Sequence, residues 1–207
     1  FDRCKVIAII DYDGGNTRSV SNILYRCKIN HIITNNYVEI KKSTKIILPG
    51  VANFSYCINN LKKKGLDEVL KEEVLLNKKL FLGICSGMQL LGTFSEEGNE
   101  EGLNFIPAKI KKLPENICKI VPHVGWNKIE HTNHSFLNGI QNLARFYFCH
   151  SYFFEPDDPK YSIIKTNYGF SFCAGVNKEN IFGIQFHPEK SLNLGKILIN
   201  NFTKLKI

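Results

Sequence analysis

The first half of the chain alternates short apolar runs with segments of helical periodicity, and this alternation constrains the fold more than any other feature. The runs Lys5–Ile10, Lys45–Leu48 and Leu80–Ile84 each stop at a turn, at a Pro-Gly pair or at a cysteine flanked by glycines, as buried strands do. From residue 17, apolar residues recur at i, i+3, i+4 and i+7, which predicts a helix with one buried face. Strands that alternate with helices predict a parallel sheet covered on both faces.

Further elements extend this pattern and then change it. The first half also contains a short strand at Ile32–Thr34, helices from Phe54 to near Gly65 and over Leu66–Asn77, and helical residues at Met88–Leu91. The second half predicts six short strands and a closing helix, at Lys109–Leu113, Asn127–Glu130, Arg145–Cys149, Tyr161–Lys165, Phe172–Val176, Ile181–Phe186 and Asn193–Lys204. We therefore predict an α/β fold: one domain over residues 1–207, with a mixed, mostly parallel central sheet flanked by helices.

Charge and cysteine content narrow the functional classes. The formal charge is +8, but only Arg3, Arg18, Arg26 and Arg145 are arginines. Lysines spread among asparagines indicate a solvated surface or attraction to an acidic partner. Nucleic-acid binding is the least favoured of the functional interpretations. No run approaches the roughly 20 apolar residues of a membrane span, and no signal peptide is evident. Seven cysteines without zinc spacing predict free thiols in the cytoplasm and no metal site.

The most specific local motif is Gly83-Ile84-Cys85-Ser86-Gly87, which lies between a predicted strand and a predicted helix. Glycines on both sides of a nucleophile permit the sharp turn that raises its side chain above a sheet. The helix that follows places its positive end behind the thiol, which favours the attacking thiolate. The motif predicts Cys85 as a nucleophile and the Ser86 N–H as an oxyanion donor. A buried structural cysteine in a glycine-rich turn is the alternative, with about even odds for the motif alone.

Two further motifs follow the ends of other predicted strands. His187 and Glu189, in the segment Gln185-Phe186-His187-Pro188-Glu189, supply an imidazole and a carboxylate to orient it, which a cysteine nucleophile needs. The Pro-Gly of Leu48-Pro49-Gly50-Val51 allows a backbone N–H to approach the reacting carbonyl. Each is weak alone, since surface turns often contain such residues, but together with the cysteine motif they indicate one active site.

The chain resembles the class I (triad) glutamine amidotransferases over nearly its whole length. Six ordered pieces carry the resemblance: IIDYDGGNTRSV (9–20), LPGV (48–51), LGICSGMQLLG (82–92), PHVGWN (122–127), FYFCHSY (146–152) and FGIQFHPEKS (182–191). Within the class, the first, fourth and fifth pieces are similar to the glutaminase subunits of imidazole glycerol phosphate synthases in histidine biosynthesis. Such subunits hydrolyse glutamine and pass ammonia to a (β/α)₈ cyclase partner, with no cofactor of their own.

The resemblance implies a role for each matching residue. Cys85, His187 and Glu189 would form the catalytic triad, with Val51 and Ser86 as oxyanion donors. The substrate-binding residues would be Gly50, Gln89, Glu97, Ser151 and Tyr152. The face toward the partner would contain Asn16, Trp126, Asn127, Tyr147 and Lys190.

Three residues depart from the family pattern. Asp13 stands where a glycine is usual, and Thr17 replaces an apolar residue. Ala52 replaces the glycine that usually follows LPGV, which puts assembly of the Val51 oxyanion donor in question. Two alternatives therefore stay open: the same chemistry feeding a barrel paralogue that amidinates a surface sugar, or a catalytically silent regulatory subunit.

Overall fold

The computed structural model describes residues 6–118 and 120–206 of the 207-residue chain, so Lys5 of the first predicted strand lies outside the described residues. The strands are β1 Ile7–Ile10, β2 His31–Thr34, β3 Lys45–Gly50, β4 Leu80–Cys85, β5 Phe94–Ser95, β6 Glu100–Glu101, β7 Ala108–Lys112, β8 His123–His131, β9 Arg145–His150, β10 Tyr152–Pro156, β11 Ser162–Asn167, β12 Ser171–Lys178 and β13 Ile181–Ile184. The α-helices are α1 Thr17–Arg26, α2 Tyr37–Lys42, α3 Phe54–Lys63, α4 Leu66–Leu70, α5 Ser86–Gln89 and α6 Leu192–Lys204.

Five parallel strands form the centre of the sheet, in the order β2-β1-β3-β4-β13. Two layers of apolar side chains cover this centre. On one face α1 and α6 contribute Val20, Leu24 and Phe202, and on the other α3 and α4 contribute Phe54 and Leu70. The carboxyl ends of β3, β4 and β13 therefore meet at one edge of the sheet, which is where open α/β sheets bind ligands.

The second half of the chain extends the sheet with antiparallel strands. β12 follows β13 in the sheet, β10 pairs with β12, and β11 connects to the hairpin of β8 and β9. The predicted α/β domain with a mixed sheet flanked by helices is confirmed. The hairpin of β8 and β9 ends beside the carboxyl edge of the central strands, because the His187 N–H donates to the Tyr147 carbonyl.

Local chemistry accounts for where three of the described α-helices begin. Asn16, Asn36 and Asn53 precede α1, α2 and α3, and each side-chain oxygen accepts from a backbone N–H of the first turn, as N-caps do. The predicted helix over Leu66–Asn77 is present only in part. α4 continues as a π-helical stretch at Lys71–Leu76, within which the buried Glu73 side chain pairs with Lys79.

The predictions missed α2, β5, β6 and β10 because these elements are short and lack a long periodic pattern. The predicted strand at Asn127–Glu130 is longer than expected and begins at His123. None of the described helices is long and apolar enough to cross a membrane.

Candidate active site

The nucleophile motif forms a sharp turn between β4 and α5. Cys85 has φ 55° and ψ −114°, a strained backbone conformation for a residue with a side chain. The turn requires close backbone contacts: a Cβ on Gly83 would overlap the Gly87 carbonyl, and one on Gly87 would overlap the Leu48 carbonyl. A Cβ on Gly50, at the end of β3, would likewise overlap the Gly87 nitrogen. The glycines around Cys85 are therefore needed for β3, β4 and α5 to meet.

His187 and Glu189 follow β13 in a single 3₁₀ turn, Pro188–Lys190. His187 Nδ1 lies 2.8 Å from Glu189 Oε1, and His187 also interacts with the Cys85 thiol. Burial opposes protonation of the imidazole, but the negative charge of Cys85 and then Glu189 outweigh burial and raise the pKa of His187 to about 10. The site therefore favours a protonated His187 imidazolium at neutral pH, held beside the sulfur of the predicted nucleophile.

The triad opens onto a cavity of about 320 Å³ at the carboxyl edge of the sheet. It is lined by Val51, Ala52, Asn53, Cys85, Ser86, Gln89, Glu97, Pro122, Cys149, His150, Ser151, Tyr152, His187 and Lys190. All of the predicted catalytic and substrate-binding residues except Glu189 and Gly50 line the cavity. Glu189 contacts His187 without lining the cavity, and Gly50 packs against the backbone of the cysteine turn.

The predicted oxyanion donor Val51 does not face the thiol. Its N–H donates to the Gly14 carbonyl at 2.9 Å, and the Ala52 N–H also reaches Gly14, at 3.3 Å. The Tyr12 hydroxyl donates to the Pro49 carbonyl at 2.7 Å and holds the same loop from below. In this conformation, therefore, the Val51 N–H is not available as an oxyanion donor, because the Gly14 carbonyl accepts it.

The Ser86 N–H, the other predicted donor, lies in the first turn of α5, where a helix has no internal acceptor for its N–H groups. The Ser86 hydroxyl donates to the Ala52 carbonyl at 2.8 Å, which ties the nucleophile turn to the loop after β3. The Ser86 N–H thus has no acceptor within its helix, as the predicted donor requires, and the loop that carries the Val51 N–H is held away from the thiol.

Charged and polar groups surround the remainder of the cavity. Glu97 Oε2 accepts from the Phe54 N–H at 2.9 Å, and burial raises the pKa of the Glu97 carboxyl. Gln89 donates to the Tyr152 carbonyl at 2.8 Å. These groups suit the ammonium and carboxylate ends of an amino acid, because they present an acceptor and polar side chains in one small cavity.

Of the residues predicted for the partner face, three form one cluster and two lie elsewhere. Trp126, Tyr147 and Lys190 lie together near the cavity: the Trp126 and Tyr147 rings are 6.2 Å apart, and Lys190 Nζ lies 5.3 Å from the Tyr147 ring centroid. Asn16 is exposed and caps α1. Asn127 differs from the prediction, because its amide is turned away from Trp126 and donates to the Asn167 carbonyl at 2.8 Å. Neighbouring side chains of a strand point to opposite faces, so the two cannot share one surface.

Comparison with known proteins places this geometry in a family. The model of the glutamine amidotransferase class-I family matches residues 8–205. The chain belongs to the class-I glutamine amidotransferase family. Its similar relatives include two proteins named imidazole glycerol phosphate synthase subunit HisH 2. The one from Pseudomonas aeruginosa is 41% identical over 97% of this chain and 100% of the relative. The one from Methanococcus maripaludis is 44% identical over 96% and 99%.

Solved structures have the same class-I glutamine amidotransferase fold. A crystal structure of a glutamine amidotransferase superposes with a TM-score of 0.76 at 15% identity, covering 96% of this chain and 97% of that one. The structure of PurLQS from Thermotoga maritima gives 0.72 at 16% identity, covering 96% and 97%. At such identities the likeness concerns the fold, which agrees with the α/β sheet described above.

Sequence reasoning missed several residues of this amidotransferase site. Gln185 is fully buried and its Nε2 lies 3.7 Å from Cys85 Sγ. His150 lines the cavity, and Ser191 accepts from the Tyr147 N–H and donates to the His187 carbonyl. Gln185 and His150 lie inside motifs that carry the family resemblance, so those motifs could have indicated them as site residues. Their partners are distant in the sequence, however, and no spacing rule indicates them.

Proposed function

We propose that this chain is the glutaminase subunit of an imidazole glycerol phosphate synthase, releasing ammonia from glutamine for a (β/α)₈ cyclase partner. The observation that carries the proposal is full-length similarity of about 40% to subunits of that name, as in the relative from Leptospira borgpetersenii, 40% identical over 97% of this chain. The buried Cys85–His187–Glu189 arrangement supports catalysis over a silent regulatory role.

The geometry supports a two-stage reaction. The Cys85 thiolate attacks the side-chain carbonyl of glutamine, and the Ser86 N–H stabilises the oxyanion. The His187 imidazolium then protonates the departing nitrogen, so that ammonia leaves and a thioester remains on Cys85. The neutral imidazole next takes a proton from water, the resulting hydroxide attacks the thioester, and glutamate leaves as Cys85 regains its thiolate. Glu189 keeps the His187 ring oriented through both stages.

Ammonia must reach its acceptor before bulk water protonates it, which requires a partner docked over the cavity. We propose that the docking face lies beside the cavity and consists of the exposed apolar residues Val51, Val124 and Trp126, the part-buried Tyr147 and the exposed Lys190. Val51, Val124 and Trp126 are 55%, 53% and 41% exposed. Clustered exposed apolar side chains of this kind are typical of protein interfaces. We propose the cytoplasm as the location, since the described cysteines are free thiols.

The test uses the chain co-purified with its barrel partner. Glutamate release should be very slow for the isolated chain and should rise by orders of magnitude with the partner and its acceptor substrate. Trp126→Ala should weaken partner binding in titration calorimetry, whereas Tyr25→Ala, which removes a more exposed aromatic side chain on α1, should not. Equal glutaminase rates with and without the partner would rule out control by docking. Identifying the aminated product separates the imidazole pathway from a sugar acceptor.

A further inference from the structure

The Tyr152 carbonyl determines the direction of several hydrogen bonds around the active site. It accepts from Gln89 Nε2 at 2.8 Å and from His150 Nδ1 at 2.8 Å. A backbone carbonyl can only accept, so both contacting atoms must carry a hydrogen. This single group therefore determines which way the Gln89 amide points and which nitrogen of His150 is protonated.

The direction of the Gln89 amide determines that of Gln185. The second hydrogen of Gln89 Nε2 points to Gln185 Oε1, 3.1 Å away. With its oxygen in use, Gln185 presents its NH₂ group to Cys85, and Nε2 lies 3.7 Å from Sγ. Because a thiolate accepts hydrogen bonds and a carboxamide oxygen would repel it, this orientation suits the charged form of Cys85.

His150 is held in its donating form from the other side. If Nδ1 carries the hydrogen, Nε2 of the neutral ring must accept, and His123 Nδ1 lies 3.0 Å from it. His123 is stacked between Phe148 and Tyr168, with ring centroids 4.7 Å and 4.0 Å away. Burial lowers the pKa of His150 to about 3 and that of His123 to about 4, so both rings are neutral at physiological pH. The Asn127 amide, 3.2 Å from His123 Nε2, is the last donor in this chain of hydrogen bonds through His123 to His150.

We propose that Gln185 is a further catalytic residue of the glutaminase reaction, donating its side-chain amide to the Cys85 sulfur, and that Gln89 and His150 are positioning residues that hold it in the donating orientation. The proposal deepens the proposed function and rests on it. Gln185 is fully buried and does not line the cavity. Its loss therefore affects the reactivity of the thiolate, while Gln89 in the glutamine site stays bound to the Tyr152 carbonyl.

The test measures Cys85 alone, without glutamine or a partner. Alkylation of the isolated chain by iodoacetamide, followed at Cys85 by mass spectrometry from pH 5 to 10, reports how much reactive thiolate is present. In Gln185→Met the hydrogen bond to sulfur is lost while the length of the side chain is kept. The midpoint of the alkylation profile should rise by on the order of one pH unit. With a partner, kcat should fall by about tenfold or more at little changed KM for glutamine.

The positioning role is tested with two isosteric replacements of His150. In His150→Asn the new amide nitrogen takes the place of Nδ1 and can still donate to the Tyr152 carbonyl, so the profile should stay close to wild type. In His150→Gln the amide takes the place of Nε2 and loses that bond, so the midpoint should rise. His31→Gln is the matched control, because His31 Nδ1 also lies 2.8 Å from a carbonyl, that of Ile29, far from the site.

Several results would overturn the proposal, and each is distinct from a failure of the proposed function. An unchanged alkylation midpoint in Gln185→Met would remove Gln185 from the chemistry, and equal effects of His150→Asn and His150→Gln would remove the positioning role. If the His150 variants do not fold, ¹⁵N NMR of the wild-type histidines decides instead, since an Nε2–H tautomer of His150 contradicts the argument. If wild-type Cys85 resists a glutamine-analogue electrophile, the proposed function itself fails.

Discussion

At the scale of single residues, the chemistry depends on one thiol among several. Of the described cysteines, Cys85 is the one that combines a strained turn, a helix N-terminus and a charged imidazole neighbour. Cys57 and Cys173 are buried, and burial raises the pKa of each thiol to about 11. Among these three buried thiols, Cys85 should therefore be the one that reacts at neutral pH.

The first prediction concerns this thiol. A diazoketone analogue of glutamine should label Cys85 stoichiometrically and leave Cys57 and Cys173 unmodified, as peptide mass spectrometry will show. In the complex with the synthase partner, Cys85→Ala should abolish synthesis from glutamine and preserve synthesis from added ammonium salts, because only ammonia release needs the thiol. Loss of the ammonium-dependent reaction would contradict this assignment.

The second prediction concerns Ala52. Freeing the Val51 N–H from the Gly14 carbonyl requires a change in the backbone of residues 50–52, and Ala52 restricts that change where a glycine would not. An oxyanion donor contributes about 10²–10³ in rate. Ala52→Gly should therefore raise partner-stimulated kcat by up to about tenfold with little effect on KM. An unchanged or lower kcat in steady-state assays would mean that this loop does not limit the reaction.

Asp13 illustrates how a departure from the family pattern is accommodated. Its φ is 67°, a left-handed conformation in which glycine is unstrained and in which aspartate is among the better tolerated residues. The Asp13 carboxylate also pairs with Lys64 at 2.8 Å. The usual glycine and this aspartate thus meet the same backbone requirement.

At the scale of elements, the contact of β3, β4 and α5 decides whether the nucleophile is presented at all. These elements touch through backbone atoms, because glycines stand at the points of closest approach. α5 has only four residues and makes few bonds of its own, so tertiary contacts must hold it in place.

The third prediction tests this contact. Gly87→Ala should lower the free energy of unfolding by about 1–3 kcal/mol, because the added methyl overlaps the Leu48 carbonyl. Cys85 labelling should also be lost as the turn is displaced. Gly65→Ala is the matched control: Gly65 has φ 65° and nothing within 4 Å of an added Cβ. It should cost about 1 kcal/mol in urea unfolding through backbone strain alone and leave labelling intact. Normal labelling in Gly87→Ala would refute the steric argument.

At the scale of the whole molecule, the buried histidines link stability to pH. His123 and His150 join the β8–β9 hairpin to the segment beside the cavity. Burial lowers the pKa of both rings, to about 4 and about 3, whereas the unfolded chain binds protons near pH 6.5. Between these values the unfolded state holds more protons, so stability falls as the pH is lowered from about 6.5 to about 4.

The fourth prediction follows from this difference. Urea unfolding of the isolated chain between pH 4.5 and 6 should show an uptake of about one proton for each of the two histidines. In His123→Gln one proton fewer should be taken up on unfolding, so the slope of the unfolding free energy against pH should fall by about 1.4 kcal/mol per pH unit. Contributions from carboxylates should stay the same. An identical slope in the variant would show that His123 is protonated in the folded protein.

Local patterns in the sequence are sufficient to predict the α/β class, the strand-and-helix alternation of the first half and Cys85, His187 and Glu189 as a candidate triad. Each prediction rests on residues close together in the sequence: apolar runs, helical periodicity, and glycines or a proline beside reactive residues. His187 and Glu189 lie in one turn, which a short motif can specify. Short elements such as α2 and β10 were not predicted, because too few residues carry their periodic pattern.

The orientation of the groups around the triad depends on tertiary packing. The Val51 N–H is engaged in this conformation because Gly14, on a different loop, accepts it, and Asn127 turns inward to His123 and Asn167. Gln185 reaches Cys85 across 100 positions of sequence. Hydrogen bonds act over about 3 Å and depend on direction. Which donor meets which acceptor is therefore settled only when distant segments pack against one another.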